Sequence, residues 1–215
     1  MIGASAGGVS ALQELLAMLP ADLPAAIGCV LHRGPTPSQL AAVLGHRSAL
    51  PVREPTQGET VQQGVVYLAP ADHHLLFQPE GIEVQRGPRE HGTRPAVDPL
   101  FRSAASTYGK RVVGLLLTGA GQDGLDGMIA ISQSAGWNLV QDPEEAHMPY
   151  MPGSLSPRGS PRSPDRAGLW RRPGRPKRES EEPQSGKNGV AARYPMTCSM
   201  LSIDFIFRSR SSGEL

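Results

Sequence analysis

Two continuous apolar runs constrain this chain more than any other feature: Ala25-Ala26-Ile27-Gly28-Cys29-Val30-Leu31, and the stretch from Arg111 to Leu117. A strand with one face in water alternates apolar and polar residues. A run without alternation is buried on both faces, which is the condition of a parallel sheet covered by helices on each side. Ahead of the first run the period is different. Val9, Leu12, Leu15, Leu16 and Leu19 recur at three- and four-residue steps until Pro20, which predicts an amphipathic helix of about three turns. Helices are predicted likewise over Ser38 to Leu44, with Ser38 as its cap, over Asp98 to Tyr108 and over Gly124 to Ala135. Val65 to Ala69, stopped by Pro70, and Trp137 to Gln141 read as further strands, and Leu75–Gln78 with Gly81–Val84 as a hairpin around Pro79-Glu80. The expected fold is α/β: a three-layer, mainly parallel, doubly wound sheet with a small antiparallel hairpin.

That pattern stops at Pro152. Residues 1–152 carry 9 Lys/Arg and 14 Asp/Glu, against 12 and 6 in residues 153–215, so the overall charge of +1 conceals an acidic domain and a basic tail. Pro, Gly, Ser and Arg dominate from Gly153 to about residue 190. Such a composition buries too little apolar surface to offset its ordering entropy and predicts disorder. An out-of-frame translation of a GC-rich gene would have the same composition; an apolar helical pattern in another frame from codon 152 is its test. Met200 to Phe207 reads as an isolated apolar run. Arg172, Arg175, Lys177 and Arg178 lack interleaved aromatics, so a solvated linker is expected and no nucleic-acid partner.

Cys29 and Cys198 supply neither a disulfide framework nor a C-x-x-C site, and no metal or cofactor is expected. No signal peptide opens the chain and no stretch approaches 18 apolar residues, which predicts a cytoplasmic protein without membrane insertion.

In an open parallel sheet, side chains at the carboxyl ends of strands converge on one crevice. Three polar residues fall at such ends. Ser5 lies in Gly3-Ala4-Ser5-Ala6-Gly7, which fits the G-x-S-x-G elbow; His32 ends the run to Leu31; and Asp123 follows Leu117 in Thr118-Gly-Ala-Gly-Gln-Asp123-Gly124. A serine needs a base for its proton, neutral imidazole is that base near pH 7, and a carboxylate fixes the imidazole tautomer. Each residue also has a plainer reading: Ser5 as a turn residue, His32 as a solvated strand-end histidine, Asp123 as a cap of the helix at Gly124. Their convergence is what favours chemistry. A rival class is also present, since Gly119-Ala-Gly121-Gln-Asp-Gly124 fits G-x-G-x-x-G, with Asp142 about 20 residues on as a dinucleotide site requires. Asp123 would then repel the pyrophosphate, and Ser5 and His32 would have no role.

The blocks Ile2-Gly-Ala-Ser-Ala-Gly-Gly8, Leu31-His32, Tyr67-Leu-Ala-Pro-Ala-Asp-His-His74, Arg94-Pro-Ala-Val-Asp-Pro-Leu-Phe101 and Leu117-Thr-Gly-Ala-Gly-Gln-Asp-Gly-Leu-Asp-Gly-Met128 resemble the catalytic domain of CheB-type protein-glutamate methylesterases. The resemblance implies a catalytic domain over 1–152, with Ser5 as nucleophile, His32 as base and Asp123 as acid. It implies an oxyanion hole from the backbone N–H groups of Ala120, where the family often has Met, and Ala6. It further implies hydrolysis of glutamate methyl esters on the cytoplasmic helices of chemoreceptors, possible deamidation of receptor glutamines, and no cofactor. A decayed interaction module of the same fold is the alternative. Relative to the family, a receiver domain, most of the first strand before Gly3, and the elements after Met151-Pro152 are expected to be missing, and the regulatory or methyltransferase partner is unknown.

Overall fold

The computed structural model describes residues 1–153, 167–170 and 197–198. In chain order its elements are β1 (Ile2–Ala4), α1 (Gly8–Ala17), β2 (Ile27–Leu31), α2 (Leu40–Gly45), β3 (Val52–Arg53), β4 (Val66–Leu68), the hairpin strands β5 (His74–Gln78) and β6 (Gly81–Gln85), and α3 (Val97–Tyr108). There follow β7 (Val113–Leu116), α4 (Leu125–Gln133), β8 (Trp137–Gln141), α5 (Tyr150–Gly153), β9 (Ala167–Trp170) and β10 (Thr197–Cys198). The main sheet has the order β10-β9-β8-β7-β1-β2-β4-β3, and each neighbouring pair is parallel. β5 and β6 pair antiparallel in their own sheet, with Phe77 opposite Ile82.

The two unalternating runs became β2 and β7, which flank β1 at the centre. Their side chains divide between two cores. Cys29, Leu31, Leu115 and Leu117 face one core with Leu12, Leu15 and Leu16 of α1 and Leu44 of α2. Val30, Leu116 and Val140 face the other, with Leu100 and Phe101 of α3, Met128 and Ile131 of α4, and Phe77 and Ile82 of the hairpin. Both faces are therefore covered, and the three-layer architecture follows. Each large apolar side chain so buried contributes about 1.5–3 kcal/mol. Phe101 is fully buried. Phe101→Ala is expected to cost about 3–5 kcal/mol, read as a lower urea midpoint with an unchanged slope.

The structure departs from the sequence reading at several ends. Ser38 does not cap α2: the helix begins at Leu40 after Gln39, with no side-chain cap, and Ser38 Oγ instead accepts a bond from Arg33 Nη1 at 3.3 Å. α1 stops at Ala17 because the Met18 and Leu19 amides turn to Leu15 and Leu16, tightening the last turn. β3 is two residues long, too short for a periodic signal. Within the segment read as a tail, Ala167–Trp170 pairs with β8, and Trp170 is buried beside the first core. Apart from Gly153 and Thr197–Cys198, the rest of that segment, including all of Met200 to Phe207, lies outside the described residues. Among the described residues no helix is long and apolar enough to cross a membrane.

Candidate active site

The order of the sheet reverses at β1, with β2 on one side and β7 on the other, so the crevice beyond their carboxyl ends is a topological switch point. Backbone bonds continue past the strand ends and fix what stands there. The His32 amide donates to the Ala4 carbonyl at 3.0 Å, and the Ser5 amide to the Thr118 carbonyl at 2.9 Å. Ser5, His32 and Thr118 thus occupy adjacent rows about 4.8 Å apart. Gly7, at φ 78°, then turns the chain into α1, and a Cβ there would stand 2.7 Å from His147 Cβ. Only glycine suits this turn.

His32 and Asp123 meet directly: Nε2 lies 2.6 Å from Oδ2. Thr93 Oγ1 is 3.4 Å from the same nitrogen. Asp123 is almost wholly buried, yet its oxygens are well supplied with donors, since the Val97 amide reaches Oδ2 at 2.7 Å and the Asp98 amide reaches Oδ1 at 2.9 Å. Burial alone would push this carboxyl up; the bonds from His32, Val97 and Asp98 outweigh it and hold Asp123 below the usual carboxylate range. It is an ionised acceptor in a nearly dry site.

Asp123 does not cap the helix after Gly124, which has no side-chain cap of its own. Asp123 caps α3, whose own start at Ala96 offers no side chain. Asp98, from the first turn of α3, returns the service to α4, since its Oδ1 accepts the Gly127 amide at 2.6 Å. Each helix thus takes its N-terminal carboxylate from the other's chain segment, which favours both through the dipole and locks Asp123 to two amides rather than one flexible partner. His91 Nε2 closes the set at 2.9 Å from Asp98 Oδ2. Burial raises the Asp98 carboxyl, opposed by the Gly127 amide and reinforced by the nearby charge of Asp123.

This exchange also removes the rival dinucleotide reading. The α4 N-terminus, where a pyrophosphate would have to sit, is already occupied by the Asp98 carboxylate. Asp142 instead closes a local turn, accepting the Glu144 amide at 3.0 Å. His91, Asp98 and Asp123 offer ligand atoms within 4.8 Å of one another, but their carboxylate oxygens are engaged by the amides and imidazoles already named.

Ser5 stands beside this pair without bonding to it: among the described residues no hydrogen bond joins its Oγ to the His32 ring. Its neighbour across the crevice is Gly119, whose amide donates to the Met148 carbonyl at 2.9 Å. A Cβ on Gly119 would lie 2.7 Å from Ser5 Cβ and would collide with Met151. Gly119→Ala is therefore expected to move Ser5, with hydrolytic activity falling at least tenfold and stability by about 1–3 kcal/mol, checked by kinetics and thermal melts on the same preparation. The exposed residues Ala6 and Ala120 flank Ser5 and the 119–124 loop, and neither amide donates to a carbonyl among the described residues.

Three supports escaped the sequence reading. Thr118 Oγ1 bonds the Ala6 carbonyl at 2.9 Å and accepts the Met148 amide at 2.8 Å, tying the serine turn to a distant loop. Gln141 Oε1 accepts the Thr118 amide at 2.8 Å from the end of β8. Asp98 lies inside a block quoted for the resemblance, but nothing in its spacing says which helix it serves. A cavity of about 800 Å³, lined in part by Met1, Leu15, Leu23, Phe77 and Tyr108, contains none of Ser5, His32 and Asp123.

A glycine-flanked serine on one strand end and a bonded histidine–aspartate pair beside it place the candidate site of this α/β fold at the switch point of its parallel sheet. The particular family is settled by comparison: the family model for CheB methylesterase matches residues 1–163, and the chain belongs to that family. It is 42% identical over 144 residues to the protein-glutamate methylesterase/protein-glutamine glutaminase of Symbiobacterium thermophilum, covering 66% of this chain and 40% of that one. It is 40% identical over 163 residues to a second such protein from Methanosarcina acetivorans, covering 72% and 46%. The chain thus spans less than half the length of these relatives. The crystal structure of the Thermotoga maritima CheB methylesterase catalytic domain superposes with a TM-score of 0.69 at 34% identity, covering 71% of this chain and 84% of that one.

Proposed function

We propose that this chain carries a serine esterase site that removes methyl groups from glutamate methyl esters in chemoreceptor cytoplasmic helices. Ser5 Oγ attacks the ester carbonyl while His32 takes its proton. With Nε2 donated to Asp123, the free lone pair of the imidazole is on Nδ1, and that nitrogen is the base. The developing oxyanion receives the amides of Ala6 and Ala120. Collapse expels methoxide, which leaves as methanol with the proton from His32, and a glutamyl ester of Ser5 remains. Water, deprotonated by the same imidazole, hydrolyses it to restore Ser5 and leave a glutamate carboxylate. A receptor glutamine enters the same sequence with ammonia as the leaving group, as the relatives' glutaminase name suggests.

The observation that carries this reading is the 2.6 Å His32–Asp123 bond beside a serine on the adjacent strand end. Asp123 also caps α3 through the Val97 and Asp98 amides, so a decayed module of the same fold would keep it, and turnover is what separates the two readings. The test is methanol release from a methyl-esterified receptor fragment. Stoichiometric release by the wild-type chain that ceases in His32→Gln is expected, and persistence of release in that variant would overturn the assignment.

A further inference from the structure

The loop from Arg86 to Arg94 borders the crevice, with Thr93 Oγ1 3.4 Å from His32 Nε2, and carries charge that the proposed hydrolysis does not use. Asp72, from the turn after β4, is contacted by Arg94 Nε and Nη2 at 2.9 and 2.7 Å, by Arg86 Nη2 at 2.7 Å, and more distantly by Arg89 Nη2 at 3.9 Å. These guanidiniums hold the Asp72 carboxyl below its ordinary range, the Arg94 hydrogen bond foremost. The three arginines differ in their setting. Arg94 is a strut: its side chain is 14% exposed and also donates from Nη1 to the Gly87 carbonyl at 2.5 Å. Arg86 and Arg89 are 68% and 51% exposed. One carboxylate cannot neutralise three guanidiniums. The acid within the loop does not help, because both oxygens of Glu90 are held by Arg102 at 2.8 Å.

This surplus adjoins the chemistry. Thr93, next to Arg94, places Oγ1 3.4 Å from His32 Nε2, and His91 bonds Asp98, whose amide holds Asp123. The domain as a whole is acidic, with 9 Lys/Arg against 14 Asp/Glu over residues 1–152, so bulk attraction does not bring an acidic partner to it. A local cationic rim does so, and it also sets the orientation.

We propose that Arg86 and Arg89 form a docking rim for carboxylates of the protein substrate, engaging glutamate side chains that flank the target ester on the same helix. The proposal rests on the esterase reading and specifies what that site recognises beyond the ester itself. Glutamates three or four residues from the target share its helix face and come up beside the crevice with it. Each completed hydrolysis adds one more carboxylate to that face, so a partly processed substrate is held more firmly than a fully esterified one.

The test is Arg86→Glu/Arg89→Glu in the full chain, assayed on a methyl-esterified receptor cytoplasmic fragment and on a small neutral ester. At low ionic strength kcat/KM for the fragment is expected to fall about tenfold, mainly through KM, consistent with two rim charges reversed. Raising salt towards about 1 M shortens the Debye length to roughly 3 Å and is expected to close most of that gap. The small ester, which does not reach the rim, keeps its turnover, and Arg86→Lys/Arg89→Lys restores much of the fragment's. Unchanged kcat/KM on the fragment, or an equal fall on both substrates, would overturn the proposal. If the wild-type chain turns over neither substrate, the esterase reading fails by itself. Titration of the fragment into Ser5→Ala, with and without the two reversals, then decides the rim: weaker binding with the reversals supports it and equal binding refutes it.

Discussion

Replacing Ser5 by alanine is expected to reduce ester hydrolysis on the order of 10⁶-fold while leaving the fold intact. The magnitude follows from removing the nucleophile from a group that acts as a unit, so that only binding and the oxyanion amides remain to act on water. The second half of the expectation is as specific as the first. Ser5 Oγ makes no hydrogen bond to His32, and the turn that carries it is set by backbone bonds from Ser5 to Thr118 and from Gly8 to Ser5. Stability should therefore change by no more than about 0.5 kcal/mol. Parallel measurement of kcat/KM and the urea midpoint checks both. Retained hydrolysis would remove Ser5 from the reaction; lost folding would mean that the turn depends on the hydroxyl.

Asp123→Asn should fail differently, in chemistry and in stability together. The carboxylate receives His32, Val97 and Asp98 at once, whereas the amide keeps one acceptor oxygen and presents donors to a nitrogen or an N–H. Turnover is expected to fall by about 10⁴, through loss of the imidazole tautomer. Stability should fall by about 3–5 kcal/mol, since buried amides at the head of α3 lose a charged partner. The pH dependence carries a sign. The folded pKa of Asp123 lies below its unfolded value of roughly 3.9, so its contribution is complete above that value and is lost as pH falls through the depressed one. Asp98 has the opposite sense. Its raised carboxyl makes folding easier while it is protonated, and that advantage fades as pH rises through the raised value. Urea midpoints from about pH 3 to 7 should therefore show the acid-side loss steeply in wild type and weakly in Asp123→Asn. Identical profiles would show that the carboxylate is not ionised in the native site.

Much of the sheet was legible because its signal is local. Val30 and Leu116 face one core while Cys29, Leu31, Leu115 and Leu117 face the other, so both strands had to be apolar throughout, and that is visible in any window of seven residues. Trp137 to Gln141 matches β8 to its end residues, although Asn138 and Gln141 interrupt its apolar run. Helix ends were less legible, since Ser38 has the chemistry of a cap but was drawn to Arg33. The meeting of His32 with Asp123, and the place of Ser5 on the neighbouring strand end, follow from strand order. What could not be read was the support beneath them. Asp98 and Asp123 are 25 positions apart, and the exchange of caps between α3 and α4 exists only once those helices pack together. Gln141 on Thr118 and Thr118 on Met148 are likewise contacts between residues more than 20 positions apart, and no periodicity records them.

The most direct test of the central claim is the reaction of the intact chain with a serine-directed fluorophosphonate, followed by peptide mapping. The expected result is one stoichiometric adduct on the peptide containing Ser5, formed at least 10²-fold more slowly in His32→Gln, where the general base is lost. An adduct on another serine, or labelling of Ser5 at the same rate in His32→Gln, would contradict the assignment of Ser5 as a nucleophile activated by the His32–Asp123 pair.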